Sequence, residues 1–210
     1  METYTLNGPY HLHPTPAGAF YAVTHTERDL PAQFLQRLLR EAEAPLMNTE
    51  LLQEWTHLQD AAALEFLFRL QEAGLVQGLA EPLRAPAAGL EAALPALLGP
   101  LSSEGRALLA DPNGLCLGGA GYAEEPSAEL AALAADVAAL QGRHAALLNR
   151  HFRLGQQGWG IVAAGGYSEL GFWPLHFGPA HFILVVSGEP RLNQQAFTQL
   201  AWALGVHYAR

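Results

Sequence analysis

The sequence contains no lysine, and its 11 basic residues, all of them arginines, are outnumbered by 20 acidic residues. The formal net charge is −9. Both halves of the chain are acidic, with 5 arginines against 11 carboxylates in residues 1–88 and 6 against 9 in residues 89–210. Binding of nucleic acid depends on clustered basic residues that neutralise phosphates. We therefore expect no nucleic acid partner.

Cysteine is nearly absent as well. Cys116 is the only one, so no disulfide can form within the chain, and we expect it to be a small buried hydrophobic residue. No stretch approaches the roughly 18 consecutive apolar residues of a membrane helix. The N-terminal residues lack the basic and then apolar regions of a signal peptide. These absences predict a cytoplasmic protein without membrane insertion.

Residues able to carry chemistry are few and scattered. His11 and His13 share one face of a strand, but no cysteine or carboxylate nearby completes a tetrahedral metal site, and we interpret them as exposed histidines. A small hydrolase would need a pocket joining His176 or His181 to a nucleophile and a carboxylate, and no Gly-x-Ser-x-Gly elbow is present. We expect a protein that is not an enzyme, with no catalytic, cofactor or metal site.

What the chain does have is a regular order of helix and strand patterns after residue 90. A Leu-rich helix is followed by two strands around an Asp-Pro-Asn-Gly turn, a long helix over residues 126–149, three strands and a last helix that ends at Gly205. The breaks between the last three strands are too short for a parallel crossover. The pattern predicts an α+β fold with a five-stranded antiparallel sheet and helices for both of its faces.

The first 79 residues show a different pattern. Residues 18–25 have the composition of a strand, and three helical patterns follow at residues 30–42, from Asn48 or Thr49, and from Asp60 to Gly74, with a short strand at 75–79. This order resembles a winged-helix module. The third helix is net negative, which favours a protein-contacting adaptor over a DNA-binding module. Residues 80–89 are rich in Pro, Ala and Gly and are typical of a linker. We predict an adaptor domain at 1–79, a linker at 80–89 and a second domain at 90–210.

The second domain resembles the roadblock/dynein light-chain family over roughly residues 90–208. Two stretches carry the resemblance: Arg106-Ala-Leu-Leu-Ala-Asp-Pro-Asn-Gly-Leu-Cys-Leu, and the helix Ala128-Glu-Leu-Ala-Ala-Leu-Ala-Ala-Asp-Val-Ala-Ala-Leu. The resemblance implies a profilin-like fold without catalysis, homodimerisation, and a role as a platform for Ras-like small GTPases or for motor and signalling assemblies. In this family the dimer uses the central helix and the third strand, which correspond here to residues 128–149 and 159–164.

The central helix has two apolar stripes. One follows alternating spacings of three and four, as a helical partner requires, and the other is a stripe of alanines suited to close packing on a sheet. Tryptophan is enriched at interaction hot spots. From the first stripe, the third strand and the tryptophans we predict a dimer or partner interface of Leu130, Leu133, Val137, Leu140, His144, Leu147, Trp159, Ile161 and Trp173.

These features together predict a non-catalytic regulatory or scaffold protein of bacterial signalling or polarity. We expect a homodimer with a protein partner, for which the family resemblance suggests a Ras-like GTPase. The alternative is a transcription regulator that binds DNA through the N-terminal winged-helix-like module. A basic patch assembled in three dimensions would favour that alternative.

Overall fold

The computed structural model describes residues 4–25, 29–86, 89–154 and 158–208. The N-terminal part consists of β1 (Tyr10–Pro14), α1 (Pro16–Thr24), α2 (Leu30–Arg40), β2 (Leu46–Met47), α3 (Thr49–Thr56), α4 (Asp60–Glu72) and β3 (Val76–Leu79). The C-terminal part consists of α5 (Leu90–Leu98), β4 (Ala107–Ala110), β5 (Cys116–Ala120), α6 (Glu124–Leu147), β6 (Trp159–Val162), β7 (Ser168–Phe177), β8 (Ala180–Ser187) and α7 (Gln195–Tyr208). A π-helical turn, Leu148–Phe152, extends α6.

The five C-terminal strands form one antiparallel sheet in the order β5-β4-β8-β7-β6. The predicted five-stranded antiparallel sheet is therefore confirmed. The β4–β5 turn is fixed by Asp111, whose side chain accepts hydrogen bonds from the backbone N–H groups of Asn113 (2.9 Å) and Leu115 (2.8 Å). An aspartate at the first turn position commonly bonds to the backbone two residues ahead in this way.

The sheet has two apolar faces, and helices cover both, as the sequence predicted. On one face, which we call the covered face because several helices lie on it, the side chains of β4, β7 and β8 join a large cluster with α1, α2, α5 and α7. The sheet contributes Ala107, Leu109, Leu175, Phe177, Phe182, Leu184 and Val186 to this cluster. On the α6 face, alternate residues of the same strands meet α6 alone; they are Leu108, Ala110, Phe172, Ile183 and Val185. Successive side chains of a strand point to opposite faces of the sheet, so alternate residues of the same strand belong to different clusters.

The N-terminal strands form a separate antiparallel sheet in the order β2-β1-β3. The three predicted helices and the strand after them are present as α2, α3, α4 and β3. Whether they amount to a winged-helix module stays a prediction.

The predicted strand at residues 18–25 is wrong, because these residues lie in α1. Thr15 caps this helix by accepting a hydrogen bond from the N–H of Gly18 (3.0 Å), and Pro16 opens its first turn. Helix α1 also packs so tightly that a Cβ on Gly18 would lie 1.8 Å from the carbonyl oxygen of Leu75.

The predicted end of the last helix at Gly205 is also wrong. Helix α7 continues through Gly205 to Tyr208. A Cβ at residue 205 would lie 2.4 Å from the carbonyl oxygen of Leu39 in α2, so the glycine permits close packing of α7 on α2 and does not end the helix. A glycine near the end of a helical pattern has both meanings, and the sequence does not distinguish them.

The N-terminal helices pack directly on the C-terminal ones. Trp202 of α7 donates an indole hydrogen bond to the carbonyl oxygen of Glu41 (2.7 Å), and α1 and α2 share the large cluster with α7. In the predicted linker, the backbone of Leu83 and Ala85 is hydrogen-bonded to Ala44 (2.8 Å) and Ala42 (2.9 Å), and residues 87 and 88 lie outside the described residues. The division into domains at 79 and 90 stays a prediction.

No helix within the described ranges is both long enough and apolar enough to cross a membrane.

Candidate functional site

Helix α6 rests on the sheet through its alanines. Ala131 and Ala134 are fully buried in the cluster of the α6 face, and Leu130, Val137 and Ala138 are half-buried against the same cluster. Small side chains allow the helix to approach the sheet closely, as the alanine stripe predicted. No other element of the described residues covers the opposite side of α6.

The outward side of α6 is largely apolar. Leu133 and Leu147 are 41% and 51% exposed, Leu140 between them is half-buried, and the three share one stripe because they are seven residues apart. The exposed alanines Ala132, Ala139 and Ala146 run beside this stripe. An isolated exposed leucine on a soluble protein is ordinary, but a continuous apolar stripe on a 24-residue helix is not.

Strand β6 extends this apolar surface at the edge of the sheet. Among the described residues, β6 pairs only with β7, so its other side presents unpaired backbone groups. Trp159 is half-buried against the cluster of the α6 face, whereas Ile161 and Val162 are 51% and 61% exposed. Natural edge strands are protected by charges, proline or bulges. Strand β6 has a bulge beside Ile161 but neither charge nor proline. We call the outward stripe of α6 together with β6 the α6–β6 surface.

The charges beside the apolar stripe of α6 are strongly asymmetric. Glu129, Asp136, Arg143 and Arg150 are all exposed and follow one another at intervals of seven residues, so they form one row. The N-terminal half of this row is acidic and the C-terminal half is basic. Residues 137–168 contain no carboxylate at all, although the protein as a whole is acidic. Within the described part of the chain, none of the four takes part in an ion pair.

The structure brings together eight of the nine residues predicted for an interface. The six on α6, with Trp159 and Ile161, lie on one side of the sheet, and the exposed His144 lies among them. Trp173 lies on the other side, half-buried in an apolar cleft of about 350 Å³ beside Phe20 of α1. Strand alternation already places residues 172 and 173 on opposite faces. Contact of these residues with a partner stays a prediction.

A second cleft, of about 400 Å³, separates the C-terminal half of α6 from the β7–β8 hairpin. His176 and His181 are paired across the two strands there, with ring centroids 6.3 Å apart. Burial, and secondly the charge of His181, lower the pKa of His176. The other lining residues supply neither a hydroxyl or thiol nucleophile nor a carboxylate. The structure thus does not assemble the constellation that a hydrolase would need at this cleft.

The other histidine pair differs from expectation. His13 is not exposed but fully buried at 2% exposure, with its ring 4.6 Å from that of Trp202. Its Nδ1 is hydrogen-bonded to the carbonyl oxygen of Pro14 (2.8 Å), and burial lowers its pKa. Across the described ranges, no group of three or more His, Cys, Asp or Glu side chains is arranged to hold a metal ion.

The α4 helix carries the charges on which the DNA-binding alternative depends. Asp60, Arg69 and Glu72 are exposed, and the guanidinium of Arg69 is 2.5 Å from the carboxylate of Glu65 in the same helix. The single basic group of this helix is therefore already paired. A helix that reads DNA needs free donors for bases and phosphates.

Comparisons with known proteins add little beyond this geometry. The chain matches no family model and no curated protein. Among solved structures, it is similar to the crystal structure of a Roadblock/LC7 domain from Streptomyces avermitilis. That similarity has 19% sequence identity and covers 57% of this chain and 92% of that domain, with a TM-score of 0.36. Because the identity and the TM-score are this low, we base the α+β assignment on the strand order and helix placement of this chain itself.

Proposed function

We propose that this protein is a non-catalytic interaction protein that self-associates through the α6–β6 surface and serves as a scaffold for a protein partner. The observation that carries the proposal is the combination of an exposed apolar stripe with a charge row that changes sign at its middle. A surface of this kind matches a second copy of itself when the two helices run in opposite directions. The roadblock resemblance of the sequence supports the same interface.

The register of such a pair follows from the spacing along α6. With a two-fold axis beside Leu140, Leu133 of one copy lies opposite Leu147 of the other, because each is seven residues from the axis. A two-fold interface uses the same patch on both copies, so every contact occurs twice. The two most exposed leucines of α6 are then both covered.

The same axis pairs the charges. Asp136 and Arg143 lie at nearly equal distances on either side of Leu140, and so do Glu129 and Arg150. An antiparallel pair therefore contains four pairs of opposite charge. In a parallel pair, each charged residue would lie at the same height as the identical residue of the second copy, so like charges would be neighbours. Flanking charges commonly set the orientation of paired helices. At about 0.5 kcal/mol for each exposed pair, the four contribute about 2 kcal/mol, or roughly 30-fold in Kd.

The edge strand β6 has a role in the same assembly. A second β6 running antiparallel beside it would pair the free backbone groups and continue the sheet across the two-fold axis. The exposed side chains of Ile161 and Val162 would lie at that junction. The protein partner would then bind the joined surface, and a Ras-like small GTPase is the partner class that the family resemblance suggests.

The first test is the mass of the protein in solution, measured by light scattering during gel filtration. We expect a dimer for the natural sequence and a monomer for Leu133→Glu, because a buried charge without a partner is costly. Leu83→Glu is the matched control, since both leucines are 41% exposed but Leu83 lies in the N-terminal half. A monomeric natural protein, or equal behaviour of the two variants, would refute self-association through α6.

A charge exchange tests the register. Arg143→Glu with Arg150→Glu makes the row wholly acidic, and we expect Kd to rise by at least 30-fold. Adding Glu129→Arg and Asp136→Arg restores opposite halves in reversed order, so the fourfold variant should dimerise again. Failure of this rescue, with the fold intact by circular dichroism, would contradict the antiparallel register.

The partner is tested separately with the dimer as bait. Candidate Ras-like GTPases encoded by the same genome are titrated in their GTP- and GDP-bound forms by calorimetry. Binding that is lost in the monomeric Leu133→Glu variant would support a platform formed by two copies. Absence of binding by every such GTPase would remove this partner class and leave self-association standing. The only arginine of α4 is paired with Glu65, which weighs against the DNA-binding alternative.

A further inference from the structure

Helix α2 lines a groove in the N-terminal half with a polar stripe, in which Gln36 is buried and donates a hydrogen bond to the carbonyl oxygen of Ala22 (2.7 Å). Gln33, Gln36, Arg37 and Arg40 follow the i, i+3, i+4, i+7 spacing of one helix face. The apolar residues of the helix, among them Phe34 and Leu38, are buried on the other side. The polar stripe forms one wall of a groove of about 350 Å³, which Leu30, Trp55 and His57 complete.

The two arginines of this groove are held differently. The guanidinium of Arg37 lies 4.9 Å from the ring centroid of Trp55 and 3.1 Å from the carboxylate of Glu54. Arg40 has no carboxylate partner among the described residues. Its guanidinium reaches the β7–β8 turn, where a Cβ on Gly178 would lie 3.2 Å from Arg40 Nη2. Arg37 is therefore held by an aromatic ring and an ion pair, whereas Arg40 has no described carboxylate partner.

Two arginines line this groove, although the N-terminal half of the chain that contains it is acidic. Residues 1–88 are acidic, and two of their other arginines, Arg69 and Arg84, are each paired with a glutamate on the open surface. None of the described residues that line the groove is a carboxylate, although Glu54 beside it pairs with Arg37. Both arginines lie in the last turn of α2, where the partial negative charge of the helix end opposes an anion. The full positive charge of Arg40, which no described carboxylate offsets, outweighs a partial charge of about one half.

We propose that this groove binds a group carrying a carboxylate or a phosphate, with Arg40 and Arg37 as its ligands. A guanidinium presents several N–H donors in a planar fork that matches two oxygens of a carboxylate or phosphate. Gln33 and His57 border the same space. The volume lies at the lower end of the range of small-molecule sites. The site is separate from the α6–β6 surface, and it does not depend on self-association.

Calorimetric titrations at constant ionic strength test the site, with inorganic pyrophosphate, citrate and an Asp/Glu-rich hexapeptide as the three probes. We expect saturable binding of at least one probe at one site per chain. Arg40→Gln should weaken this binding by at least tenfold, and Arg37→Gln should weaken it to a similar degree. Arg84→Gln is the control, because it removes an exposed arginine of the same half without touching the groove.

The three probes also distinguish the sources of the anion. Binding of pyrophosphate or citrate indicates a free small anion, whereas binding of the hexapeptide alone indicates an acidic segment of a protein. Both results support the groove if Arg40→Gln abolishes them and Arg84→Gln does not. The proposal is overturned if no probe binds, or if all three variants lose affinity equally, as screening of net charge would produce. Circular dichroism and thermal melting confirm that each variant is folded.

Discussion

The two faces of the five-stranded sheet are built from the same strands and are equally apolar, yet their surroundings differ. The covered face meets α5 and α7 from its own half and α1 and α2 from the other, and its cluster includes large side chains such as Phe177 and Phe197. The α6 face meets one helix, which contributes mainly alanines. Hydrophobic burial grows with the apolar area removed from water. Within the described residues, helices of both halves cover one face, whereas the outer side of α6, the only helix on the other face, is exposed to solvent.

The largest expected effect compares the two faces at neighbouring positions. Leu108 and Leu109 are adjacent in β4, fully buried, and directed to the α6 face and the covered face respectively. We expect Leu109→Ala to cost about 3–5 kcal/mol of unfolding free energy and Leu108→Ala about 2–3 kcal/mol. The second site can relax more, because α6 is held by small side chains.

Urea unfolding in the Leu133→Glu background measures both costs without a contribution from self-association. Equal costs for the two variants would show that α6 is packed as firmly as the helices of the covered face. The two faces would then differ only in how far their covering helices are exposed to solvent, and not in how firmly those helices are packed.

A glycine from each side of the molecule gives the next contrast. A Cβ on Gly18 of α1 would collide with the carbonyl oxygen of Leu75, whereas a Cβ on Gly142 of α6 would meet no atom within 4 Å. We expect Gly18→Ala to lower the unfolding free energy by about 1–3 kcal/mol through overpacking. Gly142→Ala should raise it by about 0.5–1 kcal/mol, because alanine favours a helix interior.

Thermal melting of the two alanine variants at equal protein concentration checks this contrast. A destabilised Gly142→Ala protein would mean that α6 is more closely approached than its open surroundings indicate.

The smallest expected effect concerns pH. His13 is buried beside Trp202 with Nε2 unpartnered within the described residues, and burial lowers its pKa in the folded protein. Below the ordinary value of 6.5, the unfolded chain then binds a proton that the folded chain does not. Stability should therefore fall as the pH decreases from about 6.5 through the lowered pKa.

Urea unfolding at a series of pH values between about 7 and 5 measures this loss. His13→Phe keeps an aromatic ring and should make the profile shallower, with the remaining slope due to His176, whose pKa burial also lowers. An unaltered profile in His13→Phe would assign the pH dependence to other groups.

Periodicity predicted most of the secondary structure, because apolar side chains recur at different intervals in helices and strands. The alanine stripe of α6 also indicated which side of that helix packs on the sheet. The end of α7 was predicted wrongly because Leu39, from another segment of the chain, approaches the backbone of Gly205. Leu75 approaches Gly18 of α1 in the same way, where the composition of residues 18–25 had predicted a strand. Such approaches join residues distant in sequence, so no local pattern reports them.

The candidate sites show the same limit. Leu133, Leu140 and Leu147 could be predicted as a stripe from their spacing, but the stripe is equally compatible with burial within one chain. Only the packing of α6 through Ala131 and Ala134 determines that it faces outward. The groove beside α2, which we propose to bind an anion, was not predicted from the sequence. Arg37 and Arg40 belong to the helical pattern of α2, whereas Trp55 and His57, which complete the groove, come from the end of α3 and the residue that follows it.

The sequence by itself determined the five strands and the long central helix, since hairpin-length breaks and helical spacing are local properties of the chain. It also determined the charge row of α6, whose sign changes within a single helix. The tertiary structure alone decided which helices share the covered face, that β6 is an edge, and that His13 is buried. These features depend on contacts between segments far apart along the chain, and such contacts leave no periodic trace in the sequence.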